Sequence, residues 1–155
     1  MGKQMPLGIG VDIIEVKRFR AIGRLERVAE LVLTEGEYRE FARHPDPALH
    51  LASRFALKEA VIKACPARLT YRDIEIRKKG IKPDVRILGG LSRVSVLGSL
   101  SHSTDYVAGF AEAYLGPTQN GDLHVFLPNA SGSGTSAYGF PEIIRAEKRE
   151  SHPFA

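Results

Sequence analysis

Residues 48–64 (ALHLASRFALKEAVIKA) follow Pro45 and Pro47 and run to Pro66, and they constrain the chain more than any other segment. Prolines are tolerated at a helix start and end one from outside, so this segment is expected to be a single long helix. Within it, Glu59 and Lys63 stand four residues apart and therefore share a face. Phe55, Ala56, Ala60 and Val61 crowd the same turns, so the face is expected to be partly buried. Two readings stay open for the pair. It is an ordinary i,i+4 ion pair, worth a few tenths of a kcal/mol. Or it is a carboxylate that holds a divalent cation beside a lysine that meets a phosphate.

The rest of the chain surrounds that helix with shorter elements. Residues 7–16 (LGIGVDIIEV) read as a strand with Asp12 in its middle. Residues 17–33 have a helical period, with Ile22, Leu25, Ala29 and Val32 as the apolar stripe and Lys17, Arg20, Arg24 and Arg27 roughly opposite. Thr34 followed by Glu37 is a capping-box pattern that opens a second short helix. Strands are expected at 73–77, 85–88, 94–100 and 106–114. Helices precede most strands, which predicts an α+β fold with an antiparallel sheet packed against the long helix and shorter helices.

With 155 residues, 43% hydrophobic and 26% charged, the chain has the composition of one globular domain. Beyond residue 116 the sequence turns rich in Gly, Ser and Pro. Residues 117–155 are therefore expected to form a flexible appendage to a domain spanning 1–116. No apolar run is long enough to span a membrane, and no secretion signal is apparent at the start. Cys65 is the only cysteine, which excludes an internal disulfide and suits a cytoplasmic location. The net charge of +4 favours an anionic partner. Few aromatics accompany the basic residues, so a base-stacking platform for nucleic acid is not expected.

Two further positions carry possible chemistry. Asp12 sits among Gly, Ile and Val, where a carboxylate must either face solvent or meet a cation or hydrogen-bond donors. Ser101-His102-Ser103 falls at a turn between two strands, where hydroxyls, backbone N–H groups and an imidazole can meet a phosphate.

GIGVDIIEV, then RFALKEAVIKA, then SLSHSTDYVAGFAEA resemble, in order and spacing, the holo-acyl-carrier-protein synthase family. These are small single-domain 4′-phosphopantetheinyl transferases, and the resemblance covers residues 7–115. It implies the 4′-phosphopantetheinyl transferase fold and transfer of the phosphopantetheine arm of coenzyme A to a carrier-protein serine, releasing adenosine 3′,5′-bisphosphate. The carrier would be one of fatty-acid or polyketide synthesis. The resemblance further implies that Asp12 and Glu59 bind Mg²⁺ and that Lys63 contacts the coenzyme A pyrophosphate. It assigns the nucleotide end to His102 and Ser103, with Arg54, and the acidic helix of the carrier to Arg18, Arg24 and Arg27. Members are typically homotrimers with sites between subunits. The general base would be Glu59 or a metal-bound water. Arg54 lies about 140° round the helix from Glu59, so it must approach the cofactor from another direction.

The chain departs from the family where Cys65-Pro66-Ala67-Arg68 replaces a Gly-rich loop and where 89–93 is too short for the usual helix. Both mark a divergent member. Two rival readings follow from other residues. Asp73, Glu75 and Arg77 or Lys78 could form the acid-acid-base cluster of a metal-dependent nuclease, although Ile74 and Ile76 between them read as a core face. The basic surface could also belong to a docking module for an acidic protein that does no chemistry.

Overall fold

The structure, a computed structural model, describes residues 5–88, 91 and 93–116. Its centre is α4 (Pro47–Ala64), the helix expected from the proline-bounded run. Asp46 caps it by accepting a hydrogen bond from the Leu49 N–H, and Pro47 takes the first turn, where a missing N–H costs nothing. Arg20 reaches across to the Asp46 carboxylate at 2.8 Å, and both contacts hold the Asp46 carboxyl below its usual pKa.

α4 lies across one face of a three-stranded antiparallel sheet made of β1 (Met5–Glu15), β4 (Val94–His102) and β5 (Tyr106–Leu115), with β5 in the middle. The approach is unusually close because both surfaces are small. Ala56, Ala60 and Ala64 recur every fourth residue, and their carbonyl oxygens sit over Gly109, Gly10 and Gly8. A Cβ at Gly10 would stand 1.9 Å from the Ala60 oxygen, and one at Gly109 would stand 2.6 Å from that of Ala56. No side chain fits there, so the glycines set the helix–sheet distance.

The remaining strands, β2 (Ile74–Lys79) and β3 (Lys82–Ile87), form a separate hairpin whose tight turn uses Gly80 at φ 63°. Among the described residues the antiparallel sheet expected from sequence is thus divided into two, both antiparallel. A second correction concerns residues 17–33. The helical period is broken at Gly23, giving α1 (Val16–Arg20) and α2 (Leu25–Val32) with a turn between them. Glycine is a poor helix residue, and the break lets Phe19 and Val28 both reach the core. The apolar stripe itself stands: Ala29 and Val32 are buried, and Ile22 and Leu25 pack against them. Most of segment 89–93 and all of 117–155 lie outside the described residues. No helix among the described residues is long and apolar enough to cross a membrane.

Around this frame runs a buried polar joint. Thr34 and Glu37 form the expected capping box at the start of α3 (Glu35–Phe41). Glu37 does more than cap, because its Oε2 also accepts from Lys58 Nζ at 2.7 Å and its Oε1 from the Ile76 N–H at 3.0 Å. Lys58 is fully buried, and its other two donors go to the carbonyls of Val32 and Tyr71, each at 2.8 Å. All three ammonium hydrogens are therefore used. Burial pulls the Lys58 pKa down, while the Glu37 charge and hydrogen bond push it back up. The Val32 carbonyl ends α2, where an intrahelical partner is missing, so one ammonium ties together α2, α3, α4 and the turn before β2. Removing one partner of such a pair leaves the other charge buried and unpaired. Glu37→Ala is expected to cost about 3–5 kcal/mol in urea unfolding. The double change Glu37→Leu with Lys58→Met should recover most of that loss, and equal losses in both proteins would show that the pair does not act as a unit.

Candidate active site

Asp12 projects from the middle of β1 toward α4, the same side as Gly8, Gly10 and Ile14. Because α4 rides so close to Gly10, Lys63 can reach back to that strand. Its Nζ donates to Asp12 Oδ1 at 2.8 Å and to the Val11 carbonyl at 3.0 Å. The lysine that shares a helix face with Glu59 thus pairs across the helix–sheet interface with Asp12. The other Asp12 oxygen, Oδ2, is buried and has no hydrogen-bond partner. An unsatisfied buried carboxylate oxygen beside a single ammonium is costly, and it is the kind of atom a cation relieves.

Glu59 is held from a different direction. The Tyr71 hydroxyl, at the 3₁₀ turn Tyr71–Asp73, donates to Glu59 Oε1. Burial, the Glu59 hydrogen bond and the charges of Glu59 and Asp12 together push the Tyr71 pKa far up, so the phenol stays a donor. Lys63, one turn along α4 from Glu59, is the side chain that links the Glu59 face of the helix to Asp12. Among the described residues no three His, Cys, Asp or Glu side chains gather into a metal cluster. Two carboxylates with an ammonium beside them do suit Mg²⁺, which takes one or two protein carboxylates and completes its shell with water and phosphate oxygens.

The other candidates lie elsewhere. His102 ends β4 and is exposed, with the whole of β5 between its strand and that of Asp12. Ser103 shapes the next turn: its hydroxyl oxygen accepts from the N–H groups of Asp105 and Tyr106 at 3.3 and 3.2 Å, which leaves its own proton available to donate. Arg54, on another face of α4 as its spacing required, donates to Glu40 Oε2 of α3 at 2.8 Å, and its Nε is buried without a partner. Beside it, burial first and the Arg54 and His44 charges second lower the His50 pKa to about 4. Within one chain, then, the structure pairs Asp12 with Lys63, one helical turn from Glu59, while His102 and Ser103 lie at the end of β4, beyond β5, and Arg54 pairs with Glu40. Arg18, Arg24 and Arg27 are exposed on α1, the following turn and α2.

The nuclease cluster does not assemble. The Asp73 carboxylate closes its own turn by accepting from the N–H and hydroxyl of Thr70, each at 2.7 Å, and these bonds hold its pKa down. Glu75 is taken by Arg77 at 2.7 Å, while Ile74 and Ile76 fill the core. Sequence reasoning missed Tyr71 and Lys58. Tyr71 comes to Glu59 through loop closure over residues 65–70, which has no period to read. Lys58 sits at a buried position of the long helix, and the capping acid Glu37 was its only trace in the sequence.

The family model of the 4′-phosphopantetheinyl transferase superfamily matches residues 8–111. A holo-[acyl-carrier-protein] synthase of Thermodesulfovibrio yellowstonii is 40% identical over 108 residues, covering 66% of this chain and 94% of the relative. That of Bacillus subtilis is 38% identical over 111 residues, covering 67% and 92%. Among solved structures, a holo-(acyl-carrier-protein) synthase from Bacillus anthracis in complex with CoA (3′,5′-ADP) superposes with a TM-score of 0.63 at 30% identity, over 72% of this chain and 98% of that one. The expected fold and the catalytic class therefore hold together: the chain belongs to the 4′-phosphopantetheinyl transferase superfamily, as a phosphopantetheinyl transferase of the holo-acyl-carrier-protein synthase family.

Proposed function

We propose that the enzyme moves the 4′-phosphopantetheine arm of coenzyme A onto a serine of an apo acyl carrier protein, with Mg²⁺ held by Asp12 and Glu59. The observation that carries this reading is the buried, unpartnered Oδ2 of Asp12 beside Lys63. A bound Mg²⁺ would supply charge neutralisation on the pyrophosphate oxygens. Asp12 and Glu59 would hold it; Lys63 already bonds Asp12 Oδ1 and Tyr71 bonds Glu59 Oε1. Lys63 already lies against Asp12, and turning its ammonium toward a bound pyrophosphate adds a second positive charge where the leaving oxygen develops negative charge.

The carrier serine oxygen attacks the phosphorus on the pantetheine side, the bond to the bridging oxygen breaks, and adenosine 3′,5′-bisphosphate departs with the bridging oxygen. The serine proton passes to Glu59 or to solvent. His102, Ser103 and Arg54 are proposed to hold the nucleotide end. Arg18, Arg24 and Arg27 are exposed guanidinium groups suited to an acidic helix of the carrier.

The outer face of the three-stranded sheet supports a homotrimer. Ile9, Val11 and Ile13 are 66, 53 and 66% exposed on β1, and Val11 is paired with Phe110 of β5; Leu97, 64% exposed on β4, lies across Glu112 from Ile9. An exposed apolar cluster on β1 and its neighbour Phe110, bordered by Glu112, Ser99 and Ser101, is the kind of surface an interface uses. Copies joined through it could bring His102 and Ser103 of one subunit toward Asp12, Glu59 and Lys63 of another. Sedimentation should give three times the 17.0 kDa chain mass, and Val11→Glu should shift it downward; a wild-type monomer would contradict the assembly.

The activity is tested by mass spectrometry of apo acyl carrier protein incubated with the enzyme, coenzyme A and Mg²⁺. The carrier should gain about 340 Da with the wild-type enzyme and nothing with folded Asp12→Ala or Glu59→Ala. No gain with any of several carriers would overturn the reading in favour of a docking module.

A further inference from the structure

Tyr71 is gripped at three points. Its backbone carbonyl accepts from the buried Lys58 ammonium at 2.8 Å. Its ring lies against Phe55, with centroids 5.2 Å apart, and Phe55 in turn meets Phe19 edge-on at 5.6 Å. Its hydroxyl donates to Glu59 Oε1. The turn that carries it is closed by the reciprocal bonds of Thr70 and Asp73. Lys58 and Glu59 are consecutive residues of α4, so the helix grasps one tyrosine by its main chain and by its phenol at once.

This arrangement exceeds what packing requires. The half-buried ring would fill the same space as phenylalanine, and the phenol adds only the bond to Glu59. A glutamate side chain has three rotatable bonds, and fixing one oxygen leaves the second aimed in one direction. Asp12 shows the same division, with Oδ1 held by Lys63 and Oδ2 unpartnered.

We infer that Tyr71 is a positioning residue: the Lys58-anchored phenol fixes Glu59 through Oε1 so that Oε2 is presented with Asp12 Oδ2 to one divalent cation. The inference rests on the reading of Asp12 and Glu59 as the metal ligands. Outer partners that orient a ligating carboxylate commonly change metal affinity by about 10–100-fold when removed.

Tyr71→Phe keeps the ring and its Phe55 contact while deleting the one donor. Mn²⁺ binding followed by calorimetry on wild-type, Tyr71→Phe and Glu59→Gln proteins, with urea unfolding beside it, separates the possibilities. The expected result is a Mn²⁺ dissociation constant raised about tenfold in Tyr71→Phe with its unfolding midpoint close to wild type. In turnover assays, the Mg²⁺ concentration for half-maximal rate should rise by a similar factor, with the KM for coenzyme A changed far less. Glu59→Gln should bind Mn²⁺ more weakly still. Wild-type Mn²⁺ affinity in Tyr71→Phe, with binding lost in Glu59→Gln, would overturn the positioning role while leaving the metal site standing. Undiminished Mn²⁺ binding in Glu59→Gln would overturn both.

Discussion

The distance between α4 and the sheet governs everything else in this enzyme. It is set by three alanines on the helix and three glycines on the strands, where even one methyl group would collide with a helix carbonyl. At that separation Lys63, whose Cβ would be only 2.9 Å from a Cβ at Gly10, can bend back onto the strand and meet Asp12. A helix held farther off by larger side chains would leave Asp12 in a trough without its ammonium. Close packing of small residues is therefore the means by which a strand acid and a helix base come to share a site.

The second requirement is that α4 should not slide or rotate on so smooth a surface. Alanine against glycine offers contact but few interlocking knobs, and the Lys58 ammonium supplies the missing register. Its bonds to Glu37, Val32 and Tyr71 fasten the helix to three separate segments, and it is adjacent in sequence to Glu59. A buried ion pair contributes little net stability beside a well-packed apolar substitute, but it specifies one arrangement of its partners. Here the arrangement specified includes the turn of α4 that carries Glu59.

Much of this was legible before the structure. The prolines bounded α4, the Thr34–Glu37 spacing gave the cap of α3, and Asp12 in an apolar strand marked a carboxylate in need of a partner. The i,i+4 placement of Glu59 and Lys63 correctly put both on one face, yet the partner of Lys63 came from a strand about fifty residues away, which periodicity does not encode. The break at Gly23 was missed because the apolar stripe continues through it. The separation of β2–β3 from the main sheet was missed because strand patterns do not reveal which edges pair. Tyr71 was invisible for the same reason as Lys58: both act through contacts made only when the chain closes.

The central proposal is that Asp12 and Glu59 share one cation at the pyrophosphate. Anomalous diffraction from crystals grown with coenzyme A and Mn²⁺ tests it most directly. The account predicts one strong manganese peak about 2.1 Å from both Asp12 Oδ2 and Glu59 Oε2, with Lys63 turned toward the pyrophosphate. A peak away from these two oxygens, or bound coenzyme A with no metal and the Lys63–Asp12 pair intact, would contradict it.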